Sequence, residues 1–264
     1  MKRSAWDVVK QVISESDIII EVIDARFIGE TRNVDLENYV RRTKKRLLFV
    51  LNKSDLLDKP FKDVGFDEKP VIFVAATKNL GTTRLRNFLR SLKKKEKLTV
   101  GVVGYPNTGK SSLINVLKQR HSAPTSPMAG YTRGMQKIKI GPGLYVIDTP
   151  GVLDPSDHDK IKHAMTSVIS VSQVRDPDLI AMEVIYLLRK EKPGALESFY
   201  GITVEENEDM EVILEKIAVH FHFLKKGGLP DIMRAARKLI EDWQQSRIKI
   251  KGEGGYQNWK RSNM

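Results

Sequence analysis

GVVGYPNTGKSSLINVL, residues 101–117, places the spacing G-x-x-x-x-G-K-[ST] between a β-branched run and a helical pattern. A phosphate-binding loop needs that context. Gly104 and Gly109 let the backbone close around a phosphate chain, so that successive N–H groups and the start of the helix face negative charge. The candidate contacts are Asn107, Thr108, Gly109, Lys110, Ser111 and Ser112. Lys110 is placed to reach the β- and γ-phosphates, and Ser111 to ligate Mg²⁺. An ordinary glycine turn is the competing reading, and the strand before and helix after weigh against it.

Working outward, the neighbouring motifs come in an unexpected order. NKSD, Asn52 to Asp55, precedes the phosphate loop and follows a strand-like run of its own. A carboxylate at Asp55 can accept from the N1–H and 2-amino groups of guanine, whereas adenine offers an acceptor at N1 and no 2-amino group. Guanine is therefore preferred. Asn52 would tie this loop to its neighbours, Lys53 would pack along the base, and Ser54 completes the loop. Taken alone, NKSD also reads as an Asn/Asp turn.

DTPG, Asp148 to Gly151, ends another strand pattern. Asp148 can hold a water on Mg²⁺, and the Gly151 N–H can meet the γ-phosphate and register its loss. D-x-x-G by itself is weak; its position gives it value. Thr132, in SPMAGYTRG, is either a second hydroxyl on Mg²⁺ or a plain loop threonine. In VAATKNLG the backbone groups of Ala75, Ala76 and Thr77 are candidates for contact with guanine O6. Catalytic roles fall on Lys110, Thr132 and Gly151.

Strands are expected over Ile18–Asp24, Arg46–Asn52, Val71–Ala76, Thr99–Gly104, Met135–Ile140 and Tyr145–Thr149. Helices are expected near Trp6–Ser14, Val34–Arg41, Thr82–Leu92 and Lys110–Lys118. Such alternation implies an α/β fold with a mostly parallel sheet, and ligands then bind beyond the carboxyl ends of the strands. After Gly151 strand patterns stop and helical ones follow. Residues 1–155 are thus expected to form a nucleotide-binding domain, 156–250 an all-helical domain, and 251–264 a basic, mobile tail. In the helical region Asp231 can cap a helix whose Ile232, Ala235, Ala236, Leu239, Ile240 and Trp243 form a core stripe. Arg234, Arg237 and Lys238 would face away from it, as a solvated surface or one turned toward RNA.

The 264-residue chain has 45 Lys and Arg against 33 Asp and Glu, a formal charge of +12. That balance suits a polyanion such as nucleic acid, or simply a soluble basic surface. With no cysteine, disulfides and thiolate metal sites are excluded. Nothing near Met1 reads as a secretory signal, so the cytoplasm is the expected compartment. The apolar runs fall far short of the roughly 18 residues that span a bilayer. His220 and His222, two apart in an expected helix, would face different sides, and His158 reads as an exposed loop residue.

Base loop first, phosphate loop in the middle and DTPG last are the elements of a Ras-like P-loop GTPase in rotated order. Geometry decides binding, and domain termini lie close together, so joining them through KKKEKL and reopening the chain elsewhere preserves the site. With VIDAR at Val22–Arg26 ahead of NKSD, the chain resembles the YlqF/RbgA family of circularly permuted ribosome-assembly GTPases. The likeness extends to ESFYGI, Glu197 to Ile202, and to the run from Lys226 to Trp243, and so covers nearly the whole chain.

The resemblance implies binding of GTP and GDP with Mg²⁺, hydrolysis of GTP, and, as partner, the large ribosomal subunit or its precursor through rRNA; the expected state is a monomer. Asn107 matches a loop asparagine associated with a bound K⁺. Val152 stands where Ras-like proteins place a water-orienting glutamine, which implies slow turnover without a ribosomal partner. Bacterial relatives begin with a longer, histidine-containing segment, whereas this chain begins MKRSAWDVV, so no role of that histidine transfers. The alternative function is a nucleotide-regulated RNA-binding module or chaperone with little turnover. An ATP-dependent kinase or transport ATPase is disfavoured by Asp55.

Overall fold

All seven residues of β1 (Ile18–Asp24) are buried, as expected of a parallel strand covered on both faces. The computed structural model describes residues 4–57, 66–93, 96–118, 136–149 and 159–248. β1 pairs in parallel with β2 (Arg46–Asn52) on one side and β4 (Leu98–Val103) on the other. β3 (Val71–Phe73) extends the sheet beyond β2, and β6 (Leu144–Asp148) lies parallel to β4. β5 (Gln136–Gly141), outside β6, runs antiparallel. The order is β3-β2-β1-β4-β6-β5.

Because five neighbouring strands are parallel, the residues that follow β2, β3, β4 and β6 all emerge at the same edge. Those residues are NKSD, VAATK, the phosphate loop and Asp148. The permutation thus leaves the convergence of the loops untouched.

Alternation along the strands sorts the core. Ile18, Ile20 and Val22 join the layer formed by Leu85 and Leu89 of α4 (Thr82–Ser91) and Leu113, Ile114 and Leu117 of α5 (Lys110–Leu117). Ile19 packs with Val9 and Ile13 of α1 (Ala5–Glu15) and with Leu36 and Val40 of α3 (Val34–Arg42). A one-turn helix, α2 (Ile28–Thr31), precedes α3. α1 opens on a capping box in which the Asp7 N–H donates to Ser4 Oγ at 3.1 Å and the Ser4 N–H donates to Asp7 Oδ2 at 3.1 Å. The expected third strand is shorter in the structure, since Ala76–Lys78 winds into a 3₁₀ turn. Met135, in the expected fifth strand, lies outside the described residues.

On the α1/α3 face, Glu21 stands where the strand pattern calls for an apolar residue. It is fully buried; Oε1 accepts from the Asn33 N–H at 2.8 Å, and Oε2 has no partner among the described residues. Burial, and next the Glu37 carboxylate, push its pKa up to about 8. The folded protein therefore keeps this proton between the unfolded value near 4.5 and about 8, so Glu21 lowers stability progressively as pH rises through that window. Glu21→Gln should leave stability near pH 5 almost unchanged and raise it by about 1–3 kcal/mol at pH 8.5. Urea unfolding at the two pH values checks this; an equal change at both contradicts it.

The chain divides into two compact units, Met1–His158 and Asp159–Met264. The second contains α6 (Lys160–Met165), α7 (Pro177–Glu191), α8 (Ala195–Tyr200), α9 (Met210–His220) and α10 (Ile232–Gln244). Pro177 at the first turn of α7 supplies a preset φ where no N–H is needed. Ala235, Ala236, Leu239, Ile240 and Trp243 form the buried stripe of α10, and Trp243 Nε1 donates to the Met165 carbonyl at 2.8 Å.

Two expectations for this unit are corrected. Arg237 and Lys238 do not form a free solvated face: Arg237 Nη1 donates to the Val171 carbonyl at 2.9 Å, and Lys238 pairs with the buried Asp242. Of the three basic residues only Arg234 is exposed, its guanidinium lying over the Phe223 ring at 4.2 Å. His220 ends α9 and His222 lies beyond it at φ 53°, so the two do not share a helix. The tail 251–264 and His158 lie outside the described residues.

Candidate nucleotide-binding site

The phosphate loop needs its glycines for reasons visible in the backbone. Gly104 has φ +139° and a Cβ there would lie 2.4 Å from the Val22 carbonyl oxygen. Gly109 has φ +92° and its Cβ would lie 2.2 Å from Asn52 Nδ2. Any side chain at either position would displace the neighbouring strand end or the asparagine. Asn107 also takes a left-handed conformation, φ 57°, which asparagine tolerates better than most residues.

Asn52 joins two loops. Its Nδ2 donates to the Thr108 carbonyl at 2.9 Å, and its Oδ1 accepts from the Ala76 N–H at 3.1 Å. With only 2% of its surface exposed, this one amide holds the phosphate loop and the 75–77 loop against the end of β2. Thr108 is itself fixed through Oγ1 to the Tyr105 carbonyl at 3.0 Å.

Lys110, at the first position of α5, is 6% exposed, and its ammonium donates to the Tyr105 carbonyl at 2.6 Å. Burial lowers its pKa to about 8, while the Asp148 carboxylate opposes that shift. Burial likewise raises the Asp148 carboxyl above its ordinary range, with Lys110 opposing. Asp148 Oδ1 is buried without a hydrogen-bond partner among the described residues. An orphaned hard oxygen beside a buried lysine fits a site for a hydrated divalent cation and phosphate, which would supply the missing partner. Ser111 is exposed and Ser112 half-buried on the first turn of the same helix.

The base loop is equally constrained. Lys53 has φ 59°, and the turn it makes carries the chain from β2 into the 3₁₀ turn Ser54–Leu56. The Ser54 N–H donates to the Val74 carbonyl at 3.1 Å. Asp55 lies in the 3₁₀ turn with its side chain 9% exposed, and Lys78 Nζ pairs with its Oδ2 at 3.2 Å. Ala75 and Ala76 are buried and Thr77 is exposed.

Asp24, at the end of β1 and directly beside Asn52 in the strand register, anchors Lys53 Nζ at 2.8 Å. Arg26 donates to the same carboxylate through Nε at 2.9 Å and Nη2 at 2.6 Å. The Arg26 side chain is 7% exposed, so the pairing is buried. Burial disfavours ionisation of Asp24, but the Arg26 guanidinium and Lys53 ammonium overcome it and hold the carboxyl below its usual range. Motif reading does not supply this link. Its trace in the sequence is the acid and arginine of VIDAR, which only strand register places next to NKSD.

The structure therefore brings Asn52, Lys53, Ser54, Asp55, the 75–77 backbone, the 107–112 segment and Asp148 to one edge of the sheet. Thr132, Gly151 and Val152 lie outside the described residues.

The family described as 50S ribosome-binding GTPase matches residues 99–216. An uncharacterized GTP-binding protein of Methanocaldococcus jannaschii is 36% identical over 248 residues, covering 91% of this chain and 65% of that protein. The GTPase grn1 of Schizosaccharomyces pombe is 32% identical, covering 99% of this chain and 64% of grn1. The chain thus spans a little under two thirds of these relatives' length. Among solved structures, GDP-bound YlqF aligns with TM-score 0.64 at 24% identity, over 94% of this chain and 98% of that one. The strand order, the loops at its edge and the structural alignment agree: the chain has the circularly permuted P-loop GTPase fold seen in YlqF, and its sequence is similar to these GTP-binding proteins.

Proposed function

We propose that the chain binds GTP and GDP at this edge, hydrolyses GTP, and acts in assembly of the large ribosomal subunit through contact with rRNA. The observation that carries the reading is Asn52, whose two amide atoms hold the phosphate loop and the 75–77 loop to the strand bearing Asp55. In this reading Asp55 accepts from guanine, the backbone of Ala75 to Thr77 meets its O6, and Lys53 lines the base. Asn107 to Ser112 hold the phosphates, with Asn107 also able to hold K⁺. Ser111, Asp148 and Thr132 would hold Mg²⁺, which when bound neutralises charge between the β- and γ-phosphates. Thr132 and Gly151 are assigned by motif alone, as the residues that sense the γ-phosphate. The ribosomal partner is supported by the name of the matching family and by the charge of +12. We place the protein in the cytoplasm as a monomer; among the described residues no helix is long and apolar enough to cross a membrane.

GTP turnover with and without large-subunit particles tests this function. We expect slow turnover alone and a rise of about 100-fold or more with particles, the size of effect that one added transition-state donor supplies. No rise would favour the nucleotide-regulated RNA-binding module. For base recognition, Asp55→Asn should weaken GDP binding by about 100-fold and favour XDP, whose C2 carbonyl can accept from the new amide. Competition between the two diphosphates reads this directly, and unchanged selectivity contradicts the assignment of Asp55.

A further inference from the structure

We propose that Asp24, locked by Arg26, is a positioning residue for the base loop, setting guanine-nucleotide affinity without touching the nucleotide. This rests on the reading of Asn52–Asp55 as the base loop. The starting point is Lys53, a non-glycine residue in the left-handed region at φ 59°, ψ 29°. Such a conformation persists where surrounding contacts over-determine it. Here it redirects the chain at the end of β2, so that Asp55 falls in the following 3₁₀ turn. Release of Lys53 would let that turn relax and carry Asp55 with it.

Asp24 supplies the restraint. Its carboxylate accepts from the Arg26 backbone N–H at 3.1 Å, from Arg26 Nε at 2.9 Å and Nη2 at 2.6 Å, and from Lys53 Nζ at 2.8 Å. Its own N–H donates to Thr31 Oγ1 at 3.0 Å, and that hydroxyl donates to the Phe27 carbonyl at 2.7 Å. The acid is therefore fixed in plane by the arginine fork and in position by α2, with 0% of its surface exposed. A lysine on a flexible stem gains a defined position only from such a fixed partner. Asp24 and Asn52 are register partners across β1 and β2, so one strand end governs both the backbone turn at Lys53 and the asparagine that holds the phosphate loop. If Asp24 served the fold alone, its loss would act on nucleotide binding equally whether or not Lys53 carried its ammonium.

Calorimetric titration of the full chain with GDP, paired with urea unfolding, distinguishes the two. Asp24→Asn should weaken GDP about 10- to 50-fold, and in a Lys53→Met background the same change should cost less than about threefold, because the partners act as a unit. A folded Asp24→Asn variant with wild-type GDP affinity, or an equal loss in both backgrounds, overturns the proposal. Should Asp24→Asn not fold, Arg26→Lys is read instead, since it keeps the charge and removes the fork. It should weaken GDP about fivefold, again only when Lys53 is present, and unchanged affinity overturns the proposal. Asp55→Asn tests the underlying reading separately: if it leaves the preference for GDP over XDP intact, the base-loop assignment fails whatever Asp24 does.

Discussion

Replacing Lys110 by methionine should reduce GDP and GTP affinity by at least about 100-fold while making the nucleotide-free protein more stable. The same burial produces both effects. Lys110 keeps a charge in a pocket where it is 6% exposed, and its pKa is lowered to about 8. An unfolded lysine holds its proton to about 10.5, so folding near neutral pH forces a charged ammonium into a poorly solvated place. The stability of the wild-type chain should therefore rise as pH goes from about 8 toward 10.5, and this rise should vanish in the methionine variant. Near pH 7 the variant should gain about 1–3 kcal/mol, the upper figure reduced by loss of the bond to the Tyr105 carbonyl. Urea midpoints measured without nucleotide from pH 7 to 10 decide the matter. A destabilised variant, or one that retains the pH-dependent rise, shows that the buried amine is not under the stress assigned to it.

The second large effect concerns the helical unit. Asp242 is fully buried and accepts from the Tyr200 hydroxyl at 2.9 Å and from Arg247 Nη1 at 2.9 Å, with Lys238 paired to the same carboxylate. Burial first, and then the adjacent carboxylate, push the Tyr200 phenol far above its ordinary range, so it remains a donor. This knot joins α8 to α10, the two segments that carry ESFYGI and RAARKLIEDW. Asp242→Ala removes the shared acceptor, strands a buried hydroxyl and leaves a small void; we expect a loss of about 2–4 kcal/mol. Lys238 and Arg247 keep access to water, so the loss stays below that of a fully buried ion pair. Tyr200→Phe, which removes one donor and leaves the ions paired, should cost about 1 kcal/mol. Hydrogen exchange should show protection falling in α7 to α10 and persisting in β1 and β4. Uniform loss across both units contradicts a local role.

Where chemistry is short-range in sequence, the residues spoke for themselves. β1 and β2 were legible to the residue because each is a mainly apolar run, interrupted in β1 by Glu21, that ends in a polar loop. The phosphate loop was legible because phosphate binding demands glycine at fixed spacing before a helix. The role of Asn52 followed from its place at a strand end, but its partners Thr108 and Ala76 are 56 and 24 residues away and only the sheet order brings them together. For the same reason Asp24 was not legible as the anchor of Lys53; adjacency of β1 and β2 creates that pair. α2 escaped notice because four residues carry too little periodicity to distinguish a helix from a turn. Arg237 and Lys238 were misread because charge on a helix face usually means solvent, whereas here a carbonyl and a buried acid receive them.

The central claim is that loops scrambled along the chain meet at one sheet edge to hold a guanine nucleotide. Titrating the wild-type protein with GDP and with ADP under identical conditions tests it most directly. Saturable GDP binding is expected, with ADP at least about 1,000-fold weaker, because Asp55 would be left facing a ring without matching donors. Equal affinity for the two, or binding of neither, would contradict it.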